Sequence, residues 1–185
     1  MKKILLLAVL AVVFIATPVM AKDGMYLGAG LVFNNIVGSD LDVYDPAGGF
    51  DFRIGRNFGS IAIEGNVLRV AHLGKPGYAD ADMTGVNLDL RVSFSQTQDP
   101  NQVYVLVGLG AYSLDLSNGN DFSGTGLNLG AGMEHFFNDQ VSLNLAAIYR
   151  FIDYTDATIG GVDYTLDPAA SGDAFSLHAG INLYF

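Results

Sequence analysis

Apolar and polar residues alternate without a break over the last eleven residues of the chain. The apolar positions of this alternation are Phe175, Leu177, Ala179, Ile181, Leu183 and Phe185. The small or polar positions between them are Ser176, His178, Gly180, Asn182 and Tyr184. Successive side chains of a β-strand point to opposite faces, so this period of two predicts a strand with one apolar face and one polar face.

The same period of two recurs in seven earlier segments. We predict strands over residues 25–34, 50–58, 61–70, 85–94, 102–114, 126–136 and 141–151, before the last one at 175–185. Segment 102–114 is apolar on both faces, and its phase is set by placing Gly108 and Gly110 on the polar face with Tyr104 and Tyr112. Eight segments of roughly ten residues have the length that tilted transmembrane strands need.

The connections between the predicted strands alternate between short and long. Short links fall at residues 59–60, 95–101 and 137–140, and long links fall at 35–49, 71–82, 115–124 and 153–172. This alternation is typical of membrane barrels, in which short turns face the periplasm and long loops face outward. We therefore expect an all-β, eight-stranded, antiparallel up-and-down transmembrane barrel with both ends on the periplasmic side.

The first 21 residues have the parts of a secretory signal peptide. Lys2 and Lys3 precede an uncharged apolar run at residues 4–15, and the leader ends on the small residue Ala21. We expect cleavage between Ala21 and Lys22, which leaves residues 22–185 as one outer-membrane barrel domain. An N-terminal anchor is the alternative, but the run is shorter than the ~20 residues that a spanning helix needs.

Composition narrows the folds that suit an exported chain. The sequence is 50% hydrophobic with 23 glycines, yet no run after the leader is long and apolar enough for a spanning helix. A closed barrel can also cross a bilayer, because it pairs every backbone N–H and C=O between strands. The chain has no cysteine for disulfides. Its net charge of −10 argues against nucleic-acid binding, which needs a basic surface.

Side-chain size on the polar face favours a membrane barrel over a soluble one. A soluble barrel of the lipocalin type also alternates over eight strands, with its apolar face inward. Here the polar face is mostly small residues, and the predicted strands contain no lysine. Small residues fit the crowded interior of an eight-stranded barrel. We expect the apolar face to meet lipid, with aromatic girdles near the strand ends at Phe50, Phe58, Phe94, Tyr149, Phe151 and Phe185.

The ending Gly180-Ile181-Asn182-Leu183-Tyr184-Phe185 resembles the sorting signal of bacterial outer-membrane barrels. With the leader, the loop lengths and Gly-rich strands such as 104–112, the chain resembles the small outer-membrane β-barrel domain family, which includes opacity-type surface antigens and the transmembrane domain of outer-membrane protein A. The resemblance implies an integral protein of the outer membrane of a diderm bacterium, surrounded by lipid and lipopolysaccharide. It also implies insertion by the barrel assembly machinery, which would read Gly180, Ile181, Leu183 and Phe185.

Six charged residues of the predicted strands face the barrel interior: Arg53, Glu64, Asp89, Arg91, Glu134 and Arg150. Isolated buried ions are costly, so we expect these residues to pair in an ionic network that plugs the barrel. The favoured function is then a non-catalytic structural or surface-exposed, antigen- or adhesin-like protein. A narrow channel for ions or small solutes is the alternative, and a soluble ligand-binding barrel is less favoured.

Candidate catalytic groups are sparse. His178 and Ser176 share the inner face, but two residues along a strand separate them by about 7 Å, too far for a direct hydrogen bond. We place His135 on the lipid face near a turn and His72 in a loop. We therefore predict no catalytic site and no cofactor, although some barrels of this architecture are lipid-modifying enzymes.

Aspartates dominate the predicted outer loops, where an extracellular ligand would bind. They are Asp40, Asp42, Asp45, Asp80, Asp82, Asp115, Asp121, Asp153, Asp156, Asp163 and Asp167. Hard cations prefer carboxylate oxygens, but none of these runs completes a calcium-loop pattern. We therefore predict an acidic, solvated loop surface and no metal site.

Overall fold

The computed structural model describes residues 24–38, 40–94 and 99–185, so the predicted leader and the Ala21–Lys22 cleavage site lie outside the described residues. None of these described segments forms a helix that is long and apolar enough to cross a membrane. The strands in the described segments are β1 Met25–Ile36, β2 Ala47–Asn57, β3 Ile61–His72, β4 Ala81–Ser93, β5 Asn101–Leu116, β6 Asp121–Phe136, β7 Val141–Ile159, β8 Val162–Ser171 and β9 Ala174–Tyr184.

Eight of these strands close into an antiparallel barrel. Strands β1 to β7 pair in chain order, and β9 pairs with both β7 and β1, which closes the wall. Strand β8 pairs only with the outer part of β7 and does not belong to the wall. The predicted eight-stranded up-and-down barrel is confirmed, and β8 is an addition to it.

Two of the predicted long loops were wrong, because most of their residues lie in strands, whereas the other two lose only their end residues to strands. The segment 153–172 is a β-hairpin in which β7 runs to Ile159 and β8 returns after the two-residue turn Gly160-Gly161. These glycines have φ values of 60° and 80°, which suit a tight hairpin turn and which other residues rarely adopt. The predicted loop 115–124 shrinks to residues 117–120, because β5 and β6 continue beyond it.

An apolar band covers the outer wall of the barrel. Leu31 is 73% exposed, and on β9 the whole apolar set from Phe175 to Phe185 faces outward while the residues between are buried. That set spans ten residue steps. At ~3.3 Å per step and a tilt of about 40°, it covers about 25 Å, which matches the apolar band of outer-membrane barrels. The predicted outward orientation of the apolar face is confirmed.

Aromatic side chains border the band at both ends. Exposed phenylalanines at the end with the short turns are Phe58, Phe94, Phe137 and Phe185, and those at the other end are Phe33, Phe50, Phe151 and Phe175. Arg56 also faces outward at the first boundary, with its guanidinium carbon 5.1 Å from the centre of the Phe58 ring. At the opposite boundary the band gives way to an exposed ion pair, Arg69–Asp82, with an N–O distance of 2.7 Å.

The barrel continues past this ion pair, and we call the part beyond it the outer section. The alternation keeps its phase there, but its polarity is reversed. On β7, Arg150 points inward and Phe151 outward, whereas the next pair places Ile152 inward and Asp153 outward. On β4, Asp82 faces out and Met83 is fully buried. The apolar face of the wall therefore points outward within the bilayer and inward in the outer section.

Candidate functional site

Arg91 on β4 is the centre of the charge cluster in the periplasmic half of the barrel. Its guanidinium lies 3.1 Å from Glu64 and 2.6 Å from Glu134, and all three side chains are buried. The guanidinium carbon also lies 4.0 Å from the centre of the Tyr104 ring, a cation–π contact that gains strength away from water. The predicted residues Glu64, Arg91 and Glu134 are thus brought together from three strands.

Glu134 on β6 is the most heavily hydrogen-bonded carboxylate of the interior. Besides Arg91, it accepts hydrogen bonds from Ser142 at 2.5 Å, from Asn182 at 2.7 Å and from the Tyr184 hydroxyl at 2.7 Å. These donors come from β7 and β9, so one carboxylate connects four strands of the wall. A buried charge held by this many donors is compensated, which is the condition for keeping it out of water.

A second charge cluster surrounds Asp51 and Arg53 on β2. Their side chains form an ion pair at 3.2 Å, and Arg53 donates across the lumen to Asn144 at 2.8 Å. Asn66 donates to Asp51 at 3.0 Å. Asp51 was missing from the predicted network. Its position two residues before Arg53, on the same face, was the available signal.

Asp89 and Arg150 are buried but have no opposite charge within 4 Å among the described residues. Asp89 accepts a hydrogen bond from Asn128 at 3.0 Å, and Arg150 donates to Ser176 at 2.5 Å. Arg150 also lies 3.2 Å from Nε2 of His178. These two predicted residues are therefore compensated by amide, hydroxyl and imidazole groups and not by ion pairs.

The two clusters leave almost no space in the middle of the barrel. The cavity between Asp51, Arg53, Glu64, Asp89 and their neighbours has a volume of about 10 Å³, which is room for about one water molecule at most. A hydrated ion or a small solute needs a much wider path. Side chains therefore fill the interior at the level of these two clusters.

The outer section is closed by a separate, apolar cluster beneath the first loop, described at residues 37–38 and 40–46. Leu41 and Tyr44 from this loop are buried against inward-facing residues of the wall, which are Ile36, Ala81, Met83, Tyr112, Leu114, Ile152, Tyr154 and Ala174. Burial raises the pKa of Tyr44, so its hydroxyl stays neutral. This packing resembles the core of a water-soluble protein, and it covers the outer mouth.

Hydrogen bonds hold this first loop in place. The N–H of Asp45 donates to the carbonyl of Leu73 at 2.9 Å, and the N–H of Lys75 donates to the carbonyl of Val43 at 2.8 Å. The N–H of Ser171 donates to the carboxylate of Asp40 at 2.8 Å. The loop is thus tied to the β3–β4 connection on one side and to the end of β8 on the other.

His72 ends β3 and is buried, so its predicted place in a loop was wrong. Strand β3 continues into the outer section, where inward-facing side chains are mostly apolar. The His72 ring faces inward there and packs beside Tyr44, with the ring centres 6.2 Å apart. Its Nδ1 donates to the carbonyl oxygen of Asp45 at 2.9 Å. Burial lowers the pKa of His72, which favours the neutral ring in this apolar setting.

Residues 5–183 of the chain match the sequence model of the outer membrane protein beta-barrel domain. The chain belongs to this family. As an outer membrane barrel with a lipid-facing apolar band, it is an integral protein of the bacterial outer membrane. No curated protein matches the chain.

Three solved structures have a fold similar to that of this outer membrane barrel. Neisserial surface protein A is 21% identical, with a TM-score of 0.62 over 88% of this chain and 97% of that one. OprG of Pseudomonas aeruginosa is 16% identical, with a TM-score of 0.64 over 89% and 97%. Ail of Yersinia pestis, solved with the heparin analogue sucrose octasulfate, is 15% identical, with a TM-score of 0.58 over 88% and 99%. At these identities the likeness shows the fold alone.

Among the described residues, no hydrogen bond joins a histidine of this outer membrane barrel to a serine. The Ser176 hydroxyl bonds to Arg150 at 2.5 Å and to Asn34 at 2.6 Å. His178 instead lies between Asp51, at 3.4 Å, and Arg150. His135, at the periplasmic edge, contacts Asn101 at 2.7 Å. Within 24–38, 40–94 and 99–185, no group of three or more His, Asp or Glu is placed to hold a metal ion.

The residues of the predicted assembly signal divide between the two faces of β9. Ile181, Leu183 and Phe185 face lipid, whereas Gly180 lies inside, against the Arg53 guanidinium and next to Gly30 of β1. A side chain at Gly180 would displace this arginine, so the lumen itself requires glycine there. Recognition of Gly180, Ile181, Leu183 and Phe185 by the barrel assembly machinery stays a prediction.

Proposed function

We propose that this outer membrane barrel is a non-catalytic surface protein that acts through its extracellular end. The closed interior is the observation that carries this proposal. Charge clusters leave a cavity of only about 10 Å³ in the bilayer, and the first loop covers the outer mouth with Leu41 and Tyr44. A protein of this shape is suited to present loops and poorly suited to conduct solutes. Insertion by the assembly machinery is part of the same proposal.

The electrostatics of the extracellular end support binding to cationic partners. The outer connections and the β7–β8 hairpin carry many aspartates, against Arg69 and Lys75 as basic residues. Both are already paired, Arg69 with Asp82 at 2.7 Å and Lys75 with Asp42 at 3.1 Å. The remaining carboxylates give a negative surface that attracts basic patches of extracellular proteins. A polyanion such as the heparin analogue bound by Ail is disfavoured here.

Conductance measurements test the closed interior. The protein refolded in detergent and inserted into planar lipid bilayers should give no steady conductance steps, because the two clusters block the lumen. A porin measured in the same membranes is the positive control. Steady conductance in all insertions would overturn the proposal and establish a narrow channel for ions or small solutes.

Removal of the β7–β8 hairpin tests the role of the surface. Bacteria that display a variant with residues 156–169 replaced by two glycines should adhere several-fold less to surfaces coated with basic extracellular proteins, because the exposed aspartates Asp156, Asp163 and Asp167 are lost. The variant D139N is the matched control, since Asp139 is exposed in a periplasmic turn. Unchanged adherence of the hairpin variant, with normal heat-dependent gel mobility, would contradict the proposed role.

A further inference from the structure

Strand β8 has one edge without a neighbour. It pairs with β7 and ends the strand order of the sheet. Residues 162–165 are all exposed, and none of their backbone groups bonds to another described segment outside the hairpin. An open edge is a template for another strand, and proteins usually cover it or protect it with lysine or proline. The edge at 162–165 has neither residue, and the nearest proline is Pro168.

The turn geometry shows which groups face the open side. In a hairpin with a two-residue turn, the residues that flank the turn exchange hydrogen bonds with each other, and the pairing then alternates. Ile159 and Val162 flank the Gly160-Gly161 turn, and Ala157 pairs with Tyr164. The N–H and C=O groups of Asp163 and Thr165 therefore point away from β7, toward solvent.

The two faces of the hairpin differ in polarity. One face has exposed apolar side chains, with Ile159 46%, Val162 54% and Tyr164 50% exposed. The other face has Thr158, whose hydroxyl donates to Asp163 at 2.9 Å, and the facing residues Asp156 and Thr165. A strand added at the edge would thus extend an apolar surface on one face and an acidic surface on the other.

We propose that residues 162–165 of β8 bind an extended basic segment of an extracellular protein by strand addition. The charge of the hairpin favours this occupant, since residues 153–173 contain five aspartates and no lysine or arginine. A segment that alternates basic and apolar residues would set its basic residues against Asp163 and its apolar residues beside Val162 and Tyr164. A second copy of this edge would oppose aspartate to aspartate. The inference rests on the proposed surface function and names its binding element.

Peptide binding to the refolded barrel tests the mode of binding. The probe is a fluorescent octapeptide of alternating lysine and valine, and its binding is followed by fluorescence anisotropy at two salt concentrations. The same peptide with a methyl group on the backbone nitrogen of each lysine keeps the charge and the side chains, but it lacks the N–H groups that would bond to Asp163 and Thr165. We expect the N-methylated peptide to bind at least about tenfold more weakly, the loss expected from a few hydrogen bonds.

Variants of the edge separate strand pairing from charge. T165P removes one outward N–H and should weaken peptide binding about fivefold, the loss expected from one hydrogen bond, whereas T165V keeps the N–H and should bind like the wild type. Double replacement of Asp163 and Asp167 by asparagine should weaken binding and its salt dependence, with D139N as control. Normal heat-dependent gel mobility verifies that each variant is folded.

Three outcomes would overturn the inference. Equal binding by T165P and T165V, or by both peptides, would show attraction by charge alone. Self-association of the wild-type barrel that T165P abolishes would assign the edge to a second copy. Loss of cell adherence on hairpin replacement, with peptide binding insensitive to T165P, would leave the proposed function standing and refute only strand addition.

The opposite combination separates the two proposals. Peptide binding lost in T165P, with adherence unchanged by hairpin replacement, would support strand addition at the edge and refute the proposed function.

Discussion

Replacement of Glu134 by alanine is expected to lower the free energy of unfolding by about 3–5 kcal/mol, the usual cost of removing one partner of a buried ion pair. The carboxylate accepts hydrogen bonds from Ser142, Asn182 and Tyr184 and pairs with Arg91. Its loss leaves those donors without their acceptor, and Arg91 keeps Glu64 as its one charged partner within the described residues.

Urea titration of the refolded protein in detergent micelles measures this effect. The chain has nine tyrosines and no tryptophan, so tyrosine fluorescence and heat-dependent gel mobility are suitable signals. D139A, in an exposed periplasmic turn, is the matched control and should stay within about 0.5 kcal/mol of the wild type. A loss below about 1 kcal/mol in E134A would show that the interior charges are not a stabilising network.

Met133 is expected to tolerate arginine poorly, at a cost of about 2–4 kcal/mol in lipid vesicles, the range found for arginine at the middle of a membrane barrel. Met133 faces outward on β6, near the middle of the apolar positions that run from Leu127 to Phe137. T125R, on the same face beyond the band, is the control and should cost about 0–1 kcal/mol. Equal effects of the two arginines, or a variant M133R that dissolves without detergent, would contradict the lipid-facing orientation.

The alternation of apolar and polar residues was sufficient to predict the barrel wall. Its period assigns every residue of a strand to a face, and the structure has Arg53, Glu64, Asp89, Arg91, Glu134 and Arg150 buried. The lack of lysine in the strands then decided which face meets lipid. These conclusions depend only on local chain geometry and on the cost of burying charge.

The contacts across the lumen could not be predicted in the same way. Arg53 on β2 reaches Asn144 on β7, and Tyr26 on β1 donates to Glu64 on β3 at 2.6 Å. Such pairs depend on how strand tilt and stagger bring residues of different strands to one height in the barrel. Periodicity gives the face of a residue but not its height in the barrel, so the partners of Asp89 and Arg150 could not be predicted.

The outer section was missed for a different reason. There the apolar side chains turn inward, as with Met83, Leu114 and Ile152, and the outward positions become acidic or hydroxylic. A strand predicted from its outward apolar face ends where the polarity is reversed, although the hydrogen-bonded ladder continues. Aspartates at 115 and 121 therefore indicated a loop where β5 and β6 pair directly.

The Gly160-Gly161 turn lies at the tip of the β7–β8 hairpin, and a hydrogen bond from the N–H of Gly160 to Asn120 at 3.0 Å connects it to the neighbouring turn. Exposed loop tips of small residues accept insertions well. Foreign sequences spliced between these glycines would be displayed on the cell exterior by a scaffold whose anchoring does not depend on them, which makes this tip a natural site for engineering epitope display.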